Sequence, residues 1–148
     1  MGEVLIDTNV LVYAHQPAET LKYAAAVRAI EALIDTGLGR LSTQILGELV
    51  RATTRGLRRI LTVEEALTQM MSLADALPVL DVTRLIVLEA ARGVRRHRLS
   101  YYDAQIWATA RLNQVETVFT EDFEDGRRLE GVQFVNPLVS GFDLERWM

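Results

Sequence analysis

The sequence predicts an α/β fold: a short central parallel sheet of about five strands flanked by helices. Three observations carry that expectation. Short, wholly apolar runs such as Val4-Leu5-Ile6 suit strands buried on both faces. They alternate along the chain with longer stretches of helical period, and strands joined through helices must run parallel with right-handed crossovers. No repeat, low-complexity run or Pro/Ser-rich linker divides the 148 residues. The whole chain, 1–148, therefore reads as one domain, with 136–148 as a C-terminal tail lacking any clear period.

In chain order, Val4-Leu5-Ile6 is the first strand, ending at Asp7. Helical patterns follow at 9–15 and 20–36, the second closing at Gly37, as glycine commonly does past a helix end. A short strand is expected at 40–43 and a helix at 44–57. Thr62 and Glu65 have the spacing of a capping box and start a helix that ends before Pro78. Val79-Leu80 is a third strand and 84–97 a helix. Ser100 opens the next helix, with Asp103 at the third helical position, running to Asn113. Strands at 116–119 and 132–135 complete the sheet.

Composition excludes several function classes. Apolar residues make up 49% of the chain and charged residues 24%, ordinary for a globular protein. No apolar run approaches the roughly 20 residues needed to span a bilayer. The N-terminus lacks the basic region of a signal peptide, so a cytoplasmic protein without a membrane partner is expected. There are no cysteines, which removes disulfides, thiolate metal sites and cysteine nucleophiles. A net charge of −4 argues against nonspecific coating of nucleic acid. Lys22 is the sole lysine; every other basic residue is arginine.

Topology gathers four acidic residues. In an open α/β sheet the ligand crevice lies beyond the carboxyl ends of the strands. Asp7 follows the first strand and Asp122 follows the fourth after Thr120 and Glu121. Glu48 lies about one turn into the helix leaving the second strand. Asp103 starts a helix antiparallel to the fourth strand, so its first turn meets the same rim. Grouped carboxylates repel unless a cation neutralises them. Hard oxygen donors without His or Cys suit Mg2+ or Mn2+, and such an ion favours phosphodiester hydrolysis by activated water.

Each residue also has a structural explanation. Asp7 could cap the following helix, and Asp103 could close the Ser100 capping box. Glu48 could pair with Arg51 or Arg55 on its own helix face, and Asp122 could be one more loop charge. The joint placement carries the argument, and between Glu121 and Asp122 the inward residue stays open on spacing alone.

The same residues resemble a known family. Leu5-Ile6-Asp7-Thr8-Asn9-Val10-Leu11, Ser42-Thr43-Gln44-Ile45-Leu46-Gly47-Glu48, Leu99-Ser100-Tyr101-Tyr102-Asp103-Ala104 and Thr120-Glu121-Asp122-Phe123 resemble, in order, the four motifs of PIN-domain ribonucleases. The nearest likeness is to the VapC-type toxins of toxin–antitoxin modules. The resemblance implies a single PIN-like domain with Asp7, Glu48, Asp103 and Asp122 as catalytic metal ligands. Thr8, Asn9 and Thr120 then position those ligands or the substrate, and Asp122 is preferred over Glu121. It further implies Mg2+ or Mn2+ as cofactor and structured RNA as substrate, cut to leave a phosphate on the 5′ side of the break. The implied partners are a cognate antitoxin protein and a second copy of the chain in a homodimer. A PIN nuclease of RNA processing and a catalytically inactive scaffold are the alternatives. An aspartyl-phosphate phosphatase is disfavoured, because Asn9 stands where a second Asp is needed.

Two arginine groups border the expected site. Arg51 and Arg55 follow Glu48, and Arg95 and Arg96 precede the Asp103 helix; all four are candidates for RNA phosphate contacts. His15 and His97 have no matched ligand spacing and are expected at the surface or in packing. Tyr101, Tyr102 and Trp107 are expected in core or dimer packing rather than base stacking.

Overall fold

A computed structural model describes residues 2–148. Strand β1 (Val4–Ile6) leads into α1 (Thr8–Tyr13) and α2 (Thr20–Thr36). Next come β2 (Gly39–Ser42), α3 (Thr43–Thr54), α4 (Val63–Ala76) and β3 (Val79–Leu80). The second half comprises α5 (Arg84–His97), α6 (Tyr101–Leu112), β4 (Thr117–Phe119), β5 (Arg128–Leu129), β6 (Val132–Val135) and a final 3-10 turn at Leu144–Trp147.

The six strands lie in the order β3-β2-β1-β4-β6-β5. All neighbours are parallel except β5, which runs antiparallel to β6. The expectation of about five parallel strands missed that edge. β5 and β6 form a hairpin turned by Glu130 and Gly131, both at positive φ (47° and 87°), the conformation a tight two-residue hairpin requires.

β1 sits at the centre, with all three residues buried. Val4 pairs with Gly39 on one side and Thr117 on the other, and Ile6 faces Phe119. The chain builds β2 and β3 to one side of β1 and returns to place β4 on the other. The strand order therefore reverses between β1 and β4, where an open α/β sheet forms its crevice.

The core joins Leu5, Ile6, Leu41, Ile45, Leu49, Ile106, Trp107, Phe119 and Phe134. Trp107 is fully buried and its indole N–H donates to the Leu129 carbonyl at 3.1 Å. Gly93 makes this packing feasible. A Cβ there would stand 2.7 Å from Trp107 Cζ3, so only glycine lets α5 close on α6. The C-terminal segment lies against the domain, with the Phe142 and Trp147 rings edge-on to Phe119 at 5.6 and 6.1 Å.

The Thr62–Glu65 capping box forms with both of its bonds. The Ser100 box does not, for the Ser100 side chain makes no bond to the backbone of α6. Helix α3 ends at Thr54 rather than 57. The hydroxyls of Thr53 and Thr54 turn back to the carbonyls of Leu49 and Val50. The Thr53 carbonyl then accepts from Ile60 and Leu61, both at 2.9 Å.

Candidate active site

Asp7 ends β1 and caps α1. Its backbone N–H donates to the Phe119 carbonyl of β4 at 2.9 Å, and its Oδ1 accepts from Thr8 N–H at 2.7 Å. Its Oδ2 accepts from the Thr120 hydroxyl at 2.8 Å. Asn9 spans the same gap: its amide N–H donates to Thr120 Oγ1 at 3.1 Å, and its Oδ1 accepts from Glu121 N–H at 3.2 Å. The Thr120 hydroxyl also accepts from Asp122 N–H at 3.1 Å. Asn9 and Thr120 thus lock the loop after β4 to the end of β1.

The capping role of Asp7 is real, but it does not account for the electrostatics. A carboxylate at a helix N-terminus normally ionises easily. Asp7 is only 4% exposed, and burial, followed by the charges of Asp122 and Glu48, raises its pKa from 3.8 to about 7 against the opposing bonds from Thr120 and Thr8. A solvated cap would have no such shift.

Glu48, on the second turn of α3, reaches the same rim. Its Oε2 accepts from the Thr8 hydroxyl at 3.0 Å and its Oε1 from Gln44 Nε2 at 2.8 Å. Among the described residues it forms no ion pair with Arg51 or Arg55. Asp103 stands in the first turn of α6, and its pKa is raised by partial burial and then by the charges of Asp122 and Glu48. The four expected carboxylates therefore share one electrostatic neighbourhood.

Glu121 is neutralised: its carboxylate pairs with Lys22 Nζ at 3.0 Å. The same ammonium lies 3.3 Å from Tyr13 Oη and above the Tyr13 ring. Asp122, whose charge Asp7 and Asp103 both feel, is the member of the pair coupled to the group. The stacking of Phe123 on Phe134, centroids 3.8 Å apart, anchors the loop that carries it.

Sequence reasoning missed an amide chain behind Glu48. Tyr101 Oη donates to Gln105 Oε1 at 2.9 Å, Gln105 Nε2 to Gln44 Oε1 at 2.9 Å, and Gln44 Nε2 to Glu48. Gln44 stands four residues before Glu48, which places both on one helix face; that spacing was the available signal. Nothing local pointed to Gln105 or to the Lys22 pair.

The flanking arginines divide. Arg51 and Arg55 share a cleft of about 330 Å³ with Thr8, Glu48 and Ala52. Arg95 and Arg96 are exposed on the last turn of α5 and form no ion pair among the described residues. Their neighbours Arg92 and His97 are held by Glu130, and the His97 ring packs edge-on against Trp107 at 5.3 Å. Of the three aromatics expected in packing, Trp107 obeys. Tyr101 and Tyr102 lie outside the core, at 37% and 64% exposure.

A divalent cation fits the donor chemistry here. Among the described residues, no three His, Asp or Glu side chains stand close enough to enclose an ion by themselves. Mg2+ retains several waters and takes few direct protein ligands, so an open, all-oxygen rim with one carboxylate pushed up to about 7 matches its needs. Bound Mg2+ or Mn2+ would offset both the burial and the neighbouring charges that raise Asp7 and Asp103.

Solved structures share this architecture. The toxin–antitoxin complex from Klebsiella pneumoniae contains a chain 19% identical to this one with a TM-score of 0.66, covering 91% of this chain and 98% of that one. DNA-bound VapBC from Salmonella typhimurium gives 19% identity and a TM-score of 0.66, covering 93% and 99%. The Mycobacterium tuberculosis toxin VapC20, described as cleaving the sarcin-ricin loop, gives 19% and 0.63, covering 81% and 90%. No curated protein sequence matches this chain. Residues 4–129 match the family model described as the PIN domain, and the chain belongs to the PIN-domain family.

Proposed function

We propose that this chain is a Mg2+- or Mn2+-dependent endoribonuclease and the toxin of a toxin–antitoxin module. One observation supports the reading: burial first, and then the charges of Asp122 and Glu48, raise the pKa of both Asp7 and Asp103 beside the switch point of the sheet. Carboxylates so placed cost stability, and a cation site offsets that cost with chemistry. Asp7, Glu48, Asp103 and Asp122 would hold the cation at the rim, in part through waters it retains, and the bound cation would supply Lewis acidity toward water and the phosphodiester. Thr8 and Gln44 fix the two oxygens of Glu48, and Thr120 and Asn9 fix Asp7. Arg51 and Arg55 meet the flanking phosphates. Residues 1–148 act as one nuclease domain.

The toxin reading is supported by the neighbours' descriptions, two of them toxin complexes and one an RNA-cleaving toxin. Within that reading the partners are RNA, a cognate antitoxin and a second copy of the chain, and the compartment is the cytoplasm. No helix is long and apolar enough to cross a membrane. A pocket of about 190 Å³ lined by Leu11, Ala14, Val27, Ile30 and Leu73 would take an apolar side chain of such an antitoxin.

The test is incubation of purified protein with total cellular RNA in Mg2+ and in EDTA, with the new ends mapped. Growth after induction of wild type and Asp7→Asn, in a host without the partner, is measured in parallel. Mg2+-dependent cuts and toxicity lost in Asp7→Asn are expected. Cleavage without toxicity leaves a processing nuclease, and neither leaves a scaffold.

A further inference from the structure

Beside Glu48, on the side away from Asp7, lies a cleft of about 440 Å³ lined by Gln44, Gly47, Glu48, Arg51, Val82 and Tyr102. It shares Glu48 and Arg51 with the cleft that holds Thr8 and Arg55, so the two adjoin at Glu48. Two of its features lack a structural explanation. Gly47 stands inside α3, where glycine costs helix stability relative to almost any other residue. A Cβ there would meet nothing within 4 Å, so no close packing demands it. Tyr102 is a large aromatic left mostly in solvent, yet it is held in place. Its ring packs edge-on to Tyr101 at 5.2 Å, Tyr101 is bonded to Gln105, and the Tyr102 carbonyl accepts from Gln44 Nε2 at 3.2 Å.

We propose that this cleft is a nucleoside subsite for an unpaired base of the RNA next to the cleaved phosphate, resting on the ribonuclease reading above. The base stacks on Tyr102, Gly47 leaves room for it against the surface of α3, and Arg51 meets its phosphate. Charge supports this occupant, because Arg51 is a cation without a carboxylate partner among the described residues at the junction of the two clefts. An aromatic platform beside a cation is how single-stranded nucleic acid is held. A base inside an A-form duplex cannot reach such a platform, whereas a loop or splayed base can. The substrate is therefore cut at unpaired or loop positions.

Initial rates with Mg2+ test this on a short unpaired oligoribonucleotide and on the same strand in a duplex. Three variants separate stacking from folding. Tyr102→Ala is expected to raise KM on the unpaired strand about tenfold, the scale of one lost base stack, with kcat little changed. Tyr102→Phe keeps the ring and stays near wild type. Gly47→Gln fills the cleft and raises KM likewise while raising the melting temperature, because it removes a helix glycine. A variant that stabilises the fold and weakens the substrate cannot be acting through the fold. Wild-type cleavage with KM untouched in Tyr102→Ala and Gly47→Gln overturns the subsite alone. Equal cutting of duplex and unpaired strand does the same. No cleavage by wild type overturns it together with the ribonuclease reading.

Discussion

Two charged clusters in this molecule use the same residue types to opposite ends. At the hairpin between β5 and β6, Glu89 and Glu130 are shared among Arg92, Arg111 and His97. Bonds from Arg92 and His97 hold Glu130 down at about 2, and Glu89 is lowered chiefly by Arg92. At the rim of the sheet, Asp7, Glu48, Asp103 and Asp122 form no ion pair among the described residues, and burial, then neighbouring charge, raises Asp7 to about 7. A protein that needs charges only to tie elements together neutralises them, as α5, α6 and the hairpin do. Leaving four carboxylates uncompensated at the switch point is costly, and such sites belong to function.

The sharpest way to break the comparison is to neutralise one member of each cluster. Asp7→Asn or Asp103→Asn should reduce RNA cleavage by about 10²–10³-fold, the scale of losing one group aimed at developing charge. Glu130→Gln should leave cleavage unchanged. If the rim variants cut near the wild-type rate, the rim is not the catalytic centre.

Next in size is the dependence of stability on pH in metal-free protein. Asp7 titrates near 3.8 when unfolded and near 7 when folded, so between those values the native state holds the extra proton. Its contribution is complete below about 4 and is lost as pH rises through 7, by about 4 kcal/mol in all. Denaturant melts at several pH values should therefore show wild type losing stability over that window. Asp7→Asn should flatten the loss and be the more stable protein at neutral pH. The hairpin cluster acts in the opposite sense. Glu89 and Glu130 are lowered from 4.5, so their contribution is present above about 4.5 and fades as pH falls toward 2.

Saturating Mn2+ or Mg2+ should raise the melting temperature at neutral pH, by about 3 kcal/mol of added stability at a hundredfold excess over Kd. Asp103→Asn should shrink the gain and Glu130→Gln should leave it intact. The smallest effect expected is that of Glu130→Gln on stability itself, a loss of about 1 kcal/mol, because these ion pairs are partly solvated. Urea unfolding at pH 7 would measure it.

Much of this was legible before any coordinates. The apolar triplet at 4–6, the Thr62–Glu65 box and the alternation of strand and helix are local signals, and topology alone brings Asp7, Glu48, Asp103 and Asp122 to one rim. What stayed hidden depends on contacts between distant residues or on weak turn chemistry. Glu130-Gly131 lacks the Asn-Gly or Asp-Gly signature of a tight hairpin, so β5 went unseen. Lys22 finds Glu121 from 99 residues away, a pairing no local pattern announces.

The account rests on the rim being a cation site whose ligands include Asp7, and one calorimetric titration addresses it. Metal-free protein is titrated with Mn2+ at pH 7 in two buffers of different ionisation enthalpy, alongside Asp7→Asn. Because burial raises the pKa of Asp7 toward neutrality, binding should release protons to the buffer, and fewer as the pH is raised. Asp7→Asn should bind far more weakly and release none. Heats no greater than dilution, or equal binding by Asp7→Asn, would contradict the account.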